Sequence, residues 1–231
     1  MNADDLTPKA LAEVPIFPLP GTVLLPRTMI SLHVFEPRYR AMTEDCLEGH
    51  RLMAIAMLDP ASEPDSEDRP AIHRVAGLGA LRRSARLPDG RFNLVVEGLC
   101  RVRLGPELPM DKAYRRAPAE VLHDVAPEES AALASAMASL RALCARAMAQ
   151  LSPKDASELE GLNQVTDPGH LADLVAAAAM PDAEERQQVL DEVDVEKRVQ
   201  LVAGALGAYL LSHAPESEPG AFGWGIHPGK A

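Results

Sequence analysis

Prolines within residues 14–42 cut an apolar stretch into short pieces and so limit what this chain can fold into. Pro18-Leu-Pro20-Gly21 and Leu25-Pro26-Arg27 each interrupt the stretch after a few residues. Because proline lacks a backbone N–H and fixes its own φ, it suits turns and strand ends and disrupts the interior of a helix. The segment therefore predicts short extended pieces joined by turns.

Helical chemistry begins abruptly at Phe35-Glu36-Pro37-Arg38-Tyr39-Arg40. Pro37 suits the first position of a helix, where its missing N–H is not needed. Glu36 lies beside the N-terminus, where negative charge is favourable. Gly49 is typical of the residue that follows the last turn. We predict a helix from Pro37 to just before Gly49.

The region from Val14 to about Val125 otherwise has the pattern of β-strands. The apolar run 52–58 predicts a strand that is buried on both faces. Pro88-Asp89-Gly90 separates two β-like runs, and Asp-Gly at such a point is a strong hairpin signal. Gly98 interrupts the alternation of the second run and predicts a bulge or a barrel corner.

After about Pro127 the periodicity becomes helical, and Asp167, Asp182 and Asp194 each stand where a helix N-cap is expected. The side chains expected on the buried stripes of these helices are Leu133, Met137, Leu140, Cys144, Met148, Leu171, Leu174, Val175, Ala178, Val199, Val202, Leu206 and Leu210. The sequence predicts an α+β protein with a flexible lead (1–13), a small β-barrel-like subdomain (14–125), a helical subdomain (126–213) and a flexible tail (214–231).

Charge is unevenly distributed along the 231 residues, whose formal net charge is −11. Residues 69–116 hold 11 basic and 4 acidic residues, a net charge of +7, whereas the segments on either side are acidic. Aromatic residues make up only 3% of the chain, so platforms for stacking bases are scarce. Nucleic-acid binding is therefore not expected. We interpret the basic segment as solvated arginines on strand faces, although a local anionic partner remains open.

The three cysteines, Cys46, Cys100 and Cys144, are far apart and form no C-x-x-C pair. Neither a zinc site nor a disulfide framework is indicated. There is no apolar leader and no apolar run long enough to span a bilayer. We expect a cytoplasmic protein without a membrane partner.

Residues 14–42 resemble the opening of the N-terminal substrate-binding domain of Lon-type ATP-dependent proteases, whose signature is FPLP…V-L-P…L-x-x-F-E-P-R-Y-x-x-M. Asp191 stands where that family usually has Glu, and Val199 where it usually has Leu. The resemblance covers roughly residues 14–212. Its later motifs follow in the same order and are Val75–Gly79, Asp89–Arg91, Val95–Arg101, Asp167–Asp173, Gln187–Asp194 and Lys197-Arg198.

The resemblance implies a PUA-like β-barrel followed by an α-helical bundle, and a protein that handles polypeptides without cutting them. The ATPase signature G-x-x-x-x-G-K-[ST] does not occur in the sequence. Ser152 and Lys154 are close in sequence, but they lie in a polar linker that offers no burial to lower a lysine pKa. The seven histidines form no metal-spaced pair. We expect no enzyme activity, no catalytic residue, no cofactor and no metal.

Two interpretations of residues 35–40 compete. Glu36, Arg38, Tyr39 and Arg40 can line a peptide-binding groove. Alternatively, Phe35 and Tyr39 anchor the helix in the barrel while Glu36 and Arg38 bind the backbone of neighbouring turns, which we favour. Four arginines near the hairpin form a second candidate, a cationic rim for acidic segments: Arg82, Arg83, Arg86 and Arg91. The candidate substrate-binding residues are Glu36, Arg38, Arg82 and Arg83.

The leading hypothesis is a freestanding, non-enzymatic protein that binds unfolded or exposed polypeptide segments and acts with a protease or a chaperone. Met29, Met53 and Met57 are candidate soft contacts, although we expect all three in the core. Two alternatives stay open: a peptidase by family inheritance, and RNA binding through the PUA-like barrel.

Overall fold

The computed structural model describes residues 6–64, 69–125, 130–150, 162 and 164–212. The first half contains the strands β1 (Val14–Leu19), β2 (Met29–Val34), β3 (Leu52–Met57), β4 (Val75–Arg86), β5 (Phe92–Leu104), β6 (Arg116–Ala117) and β7 (Ala119–Leu122), with the helices α1 (Pro8–Leu11) and α2 (Pro37–Glu48). The second half contains the helices α3 (Ala131–Gln150), α4 (Pro168–Ala179), α5 (Ala183–Asp191) and α6 (Val195–Ser212). The predicted α+β class is confirmed.

The strands form one open sheet in the order β2-β5-β4-β3-β1-β6, and β7 pairs with β5. β1 and β3 are parallel, because α2 carries the chain between them, and the other pairs are antiparallel. β3 is buried along its whole length, as its apolar run predicts. The β4–β5 hairpin forms at the predicted turn, where Gly90 has a φ of +80°.

A segment between β1 and β2 closes one side of the sheet by crossing β4 and β5 at glycines. Leu24 and Leu25 are fully buried there. A Cβ at Gly77 would collide with the Leu24 carbonyl, and one at Gly98 with the Leu25 carbonyl. The predicted irregularity at Gly98 is confirmed, because the β4–β5 register shifts between Leu78 and Gly79, which pairs with Gly98.

The helices begin where their caps predict. The Asp167 side chain accepts a hydrogen bond from the backbone N–H of His170 at 2.6 Å, and Asp182 accepts one from Glu185 at 3.0 Å. α6 packs against both α3 and α4. The predicted stripe of α6 is buried. The stripe of α4 was wrong at Ala178, which is exposed; Ala172 and Ala176 are buried in its place.

α2 also matches its prediction, from Pro37 to the C-cap Gly49. Gly49 has a φ of −100°, so the left-handed conformation that such a glycine usually supplies lies two residues later, at Arg51, whose φ is +60°.

The predicted lead and tail are described only in part. Within the lead, α1 forms a single turn that Thr7 caps and that buries Ala10. The predicted tail 214–231, the side chain of Met148 and the Ser152–Lys154 pair lie outside the described residues. Among the helices that the structure describes, none is long and apolar enough to cross a membrane.

Candidate functional site

A groove of about 250 Å³ lies between the Pro18-Leu19-Pro20 turn and the first turn of α2. Prolines, aliphatic side chains and two tyrosines form most of its wall, and four charged side chains complete it. The lining residues are Pro18, Leu19, Pro20, Glu36, Arg38, Tyr39, Leu58, Arg69, Pro70, Met110, Ala113, Tyr114 and Arg115. The proline-rich motif and the helix start, which are separated by some fifteen residues of sequence, thus face each other across one concavity.

The start of α2 fixes one wall of this groove. Tyr39 is buried and its ring lies 4.4 Å from that of Phe17, centroid to centroid. The Arg38 guanidinium sits 4.6 Å above the Tyr39 ring, and its Nε donates to Glu36 Oε2 at 3.0 Å. Burial raises the pKa of the Tyr39 phenol, which stays protonated and neutral at physiological pH.

The loop between β5 and β6 forms the opposite wall, and Asp45 of α2 holds it in place. Asp45 Oδ2 accepts hydrogen bonds from the Tyr114 hydroxyl at 2.6 Å and from Lys112 Nζ at 2.9 Å. The Tyr114 hydrogen bond, with that of Lys112, lowers the pKa of Asp45. Burial and the same carboxylate raise the pKa of Tyr114. The loop also carries Met110, which is 47% exposed at the mouth of the groove.

These features favour binding of an apolar side chain over chemistry on it. The Arg115 guanidinium is held by Glu107, and Arg38 by Glu36, so neither arginine is an unpaired charge in the groove. Among the described residues that line the wall, there is no serine, cysteine or histidine to act as a nucleophile or base. Within the described part of the chain, no group of three or more His, Cys, Asp or Glu side chains is arranged to hold a metal ion.

A larger cleft, of about 450 Å³, lies where the sheet meets α4 and holds charged groups that bind one another. Arg101 of β5 is only 2% exposed and donates to Asp173 of α4 at 3.0 Å. The buried Arg198 of α6 donates to Asp124 at 3.0 Å. Burial raises the pKa of Asp173, which Arg101 and Arg198 oppose. These pairs connect the sheet to the helices. We therefore interpret the cleft as a structural junction and not as a binding site.

Residues 13–207 match the model of one protein family, described as the ATP-dependent protease La (LON) substrate-binding domain. The chain belongs to this family. The Lon protease of Dictyoglomus thermophilum is 33% identical over 192 residues, which cover 82% of this chain and 23% of that protein. Lon protease 2 of Myxococcus xanthus is 30% identical over 206 residues, which cover 87% and 24%. The chain thus spans about a quarter of the length of these LON relatives.

Solved LON structures share the fold. The N-terminal domain of the Mycobacterium avium complex Lon protease superposes with a TM-score of 0.66 at 19% identity, covering 86% of this chain and all of that one. The Lon N-terminal domain protein from Xanthomonas campestris gives 0.56 at 18% identity, covering 88% and 99%. At these identities the likeness concerns the fold alone.

The structure divides the four candidate residues that the sequence indicates for a LON-type site. Glu36 and Arg38 line the groove, whereas Arg82 and Arg83 lie on the outer side of the sheet. Arg40 is in neither place, because its guanidinium lies against Gly90 of the hairpin turn. Glu36 and Arg38 bind each other and not the neighbouring backbone that we had expected.

Two predictions about exposure were wrong. Phe35, expected to anchor α2, is 60% exposed; Phe17 packs against Tyr39 instead. Met29, expected in the core with Met53 and Met57, is 68% exposed, while the other two are buried. Met29 lies on the same exposed face of β2 as Ser31 and His33, and Phe35, one residue beyond the strand, continues that alternation.

The sequence also missed the buried polar junction and the wall of the groove that the loop between β5 and β6 forms. The interpretation of the basic segment as solvated arginines is wrong for Arg101, and Arg198 was not singled out. Met110 and Tyr114 sit in a segment without periodicity, so no local pattern indicates them. For Arg101 and Asp173 the available signal was their occurrence in two of the ordered family motifs.

Proposed function

We propose that this chain binds exposed segments of other polypeptides without cleaving them, and that the groove beside α2 receives one apolar side chain of the bound segment. The main support for this proposal is the apolar groove at the FPLP and FEPRY motifs. Two tyrosines form part of its wall, and the exposed thioether of Met110 lies at its mouth. A thioether adapts to side chains of different shape, which suits a site that accepts many sequences.

The size of the groove supports this role. A volume of about 250 Å³ accommodates a single large side chain and is too small for a folded element. Burying one Phe or Leu side chain contributes about 1.5–3 kcal/mol. One such anchor gives weak binding that is released easily, as expected of a protein that handles many substrates.

Absence of catalysis is part of the proposal, and the family match supports it because the matched domain is described as substrate-binding. The peptidase alternative depends on Ser152 and Lys154, which lie outside the described residues, so it gains no support from geometry. RNA binding gains none from the net charge of −11 or from the 3% aromatic content.

We further propose that the sheet is a distorted PUA-like barrel over about 14–125 and that a helical bundle follows over 126–213. In support, β6 pairs with β1 and β7 pairs with β5, and only Pro118 separates β6 from β7. The β6–β7 segment therefore links strands that are not neighbours in the sheet, as the closure of a barrel requires. We also propose that a protease or a chaperone receives the bound segment, and that this takes place in the cytoplasm. The three free, buried cysteines fit a reducing compartment.

Binding of an uncharged peptide tests the groove. The probe is a fluorescein-labelled 12-residue peptide of Ser, Gly and Gln with one central Phe, followed by fluorescence anisotropy. We expect the Phe peptide to bind about tenfold more tightly than the same peptide with Ser at the centre. Met110→Asp should remove that difference, because a carboxylate at the mouth disfavours entry of an apolar side chain.

Met29→Asp is the matched control, since Met29 is another exposed methionine and lies outside the groove. It should leave the preference for Phe within about twofold of the unchanged protein. Equal binding of the two peptides, or equal losses in the two variants, would contradict the groove as the anchor. Cleavage of the peptide during the titration would contradict the non-catalytic role.

A further inference from the structure

A second concave surface, of about 790 Å³, lies on the outer side of β2, β5 and β4. Strand register defines it, because directly paired residues of antiparallel strands point to the same side. One rung consists of Ser31, Val95 and Arg83, and the next of His33, Asn93 and Ala85. We call this concave surface, which includes these six residues together with Arg51 and Arg82, the outer face. The rung between those of Ser31 and His33 consists of Leu32, Leu94 and Ser84, which also border the concavity; Leu94 is buried, whereas Ser84 is exposed.

The outer face carries an excess of positive charge. Arg82 is paired with Glu97, and Arg91 beside His33 is paired with Asp89. Arg83 is exposed and Arg51 donates its Nε to the Leu81 carbonyl oxygen at 3.3 Å. Neither Arg83 nor Arg51 has a carboxylate within ion-pair distance among the residues described. Two guanidinium groups without a carboxylate partner thus border the same concavity.

The floor between these arginines is small and largely uncharged. The side chains of Ser31, Ala85, Asn93 and Val95 are short, so they leave room for a backbone to come close to the sheet. A chain passing over this floor places its side chains within reach of the arginine rim, which selects for carboxylates.

We propose that the outer face binds an acidic, extended polypeptide segment whose carboxylates pair with Arg83 and Arg51. We choose an acidic partner because its negative charge complements the positive charge of the two arginines. A nucleic acid is a poorer fit, because the described residues that line the surface include no Phe, Tyr or Trp to stack on bases, and the chain as a whole is acidic. This surface is separate from the groove beside α2, so the proposal does not depend on an apolar anchor there.

The test is fluorescence anisotropy at about 50 mM salt with a labelled 12-residue peptide that alternates Glu and Ser. The comparison peptide alternates Gln and Ser. We expect the Glu peptide to bind about tenfold more tightly, and the preference to shrink at about 300 mM salt. Arg83→Glu should weaken binding of the Glu peptide about three- to tenfold, since one exposed pair is replaced by a repulsion.

Arg103→Glu is the matched control, because Arg103 is an exposed arginine of β5 that lies outside the surface. It makes the same change in net charge and should alter binding less than about twofold. Arg83→Glu should also leave binding of the Phe peptide unchanged, which separates this proposal from the proposed function. Equal affinity for the Glu and Gln peptides, or equal effects of the two variants, would overturn the proposal. Tighter binding of a 12-nucleotide single-stranded RNA that is lost in Arg83→Glu would also overturn it.

Discussion

The carboxylate of Asp45, on α2, holds one wall of the groove in place. Its Oδ2 accepts hydrogen bonds from Tyr114 and Lys112, both on the loop that carries Met110. These donors favour the charged form, so the pKa of Asp45 is lower in the folded protein than its ordinary value of 3.8. A carboxylate with a lowered pKa stabilises the fold above its ordinary pKa, and this contribution disappears as the pH falls through the folded-state value.

Asp45→Asn should therefore lose stability relative to the unchanged protein near neutral pH, and the difference should shrink as the pH falls below 3.8. Urea unfolding of both proteins at several pH values between about 6 and 3 measures it. In a Tyr114→Phe background, which lacks the principal donor, adding Asp45→Asn should produce a smaller pH-dependent loss. A difference that stays constant across this range would contradict the assignment.

At the scale of elements, the β4–β5 hairpin and α6 each contain a glycine, and we expect replacement by alanine to have opposite effects on stability at the two positions. Gly90 has a φ of +80° in the hairpin turn, where the Arg40 guanidinium also lies close. Gly204 lies in α6, and a Cβ added there meets nothing within 4 Å. The turn needs a residue without Cβ, whereas the helix gains stability when its glycine is replaced, because glycine has the greater backbone freedom in the unfolded chain.

Gly90→Ala should lower the free energy of unfolding by about 1–2 kcal/mol, the penalty of a left-handed conformation for an L-residue. Gly204→Ala should raise it by about 0.5–1 kcal/mol. Thermal and urea unfolding of the two variants provide the measurement. Changes of the same sign would show that the hairpin tolerates a Cβ or that α6 is strained at Gly204.

At the scale of the whole molecule, buried polar contacts join the sheet to the helices. Arg101 of β5 binds Asp173 of α4 and the Leu190 carbonyl at the end of α5. Gln187 of α5 donates to the Val75 carbonyl of β4 at 3.0 Å. These residues come from family motifs that are far apart in sequence. Arg101 and Asp173 are paired because an unpaired charge in this interior is strongly unfavourable.

Asp173→Ala should therefore lower the free energy of unfolding by about 3–5 kcal/mol, because it removes the carboxylate that is hydrogen-bonded to the buried Arg101 and leaves only Asp124, 3.9 Å away. Asp111→Ala is the surface counterpart: it removes an exposed carboxylate from Arg116 and should change stability by less than about 1 kcal/mol. Urea denaturation of both variants measures the contrast. A loss below about 1 kcal/mol for Asp173→Ala would mean that Arg101 finds another partner or reaches water.

Local chemistry was enough to predict most elements. The prolines, Gly90, the capping aspartates and the apolar run of β3 act within a few residues of themselves, so α2, the hairpin, β3 and the helix starts follow from the sequence. The ordered motifs also indicated the family, which the match over residues 13–207 confirms.

Tertiary structure alone decided which side chains share a surface. Phe35 and Met29 are apolar and were expected to be buried, yet both are exposed because they fall on the alternate positions of the β2 segment that face solvent. Tyr114 is held beside the groove by its hydrogen bond to Asp45, and Arg101 of β5 is buried where Asp173 of α4 and the Leu190 carbonyl bind it. The periodicity of apolar residues predicts which face of a helix or strand is buried, but it does not identify the residues that cover that face. Which neighbour a side chain meets, and whether a charge finds its partner, depends on long-range contacts that no local pattern contains.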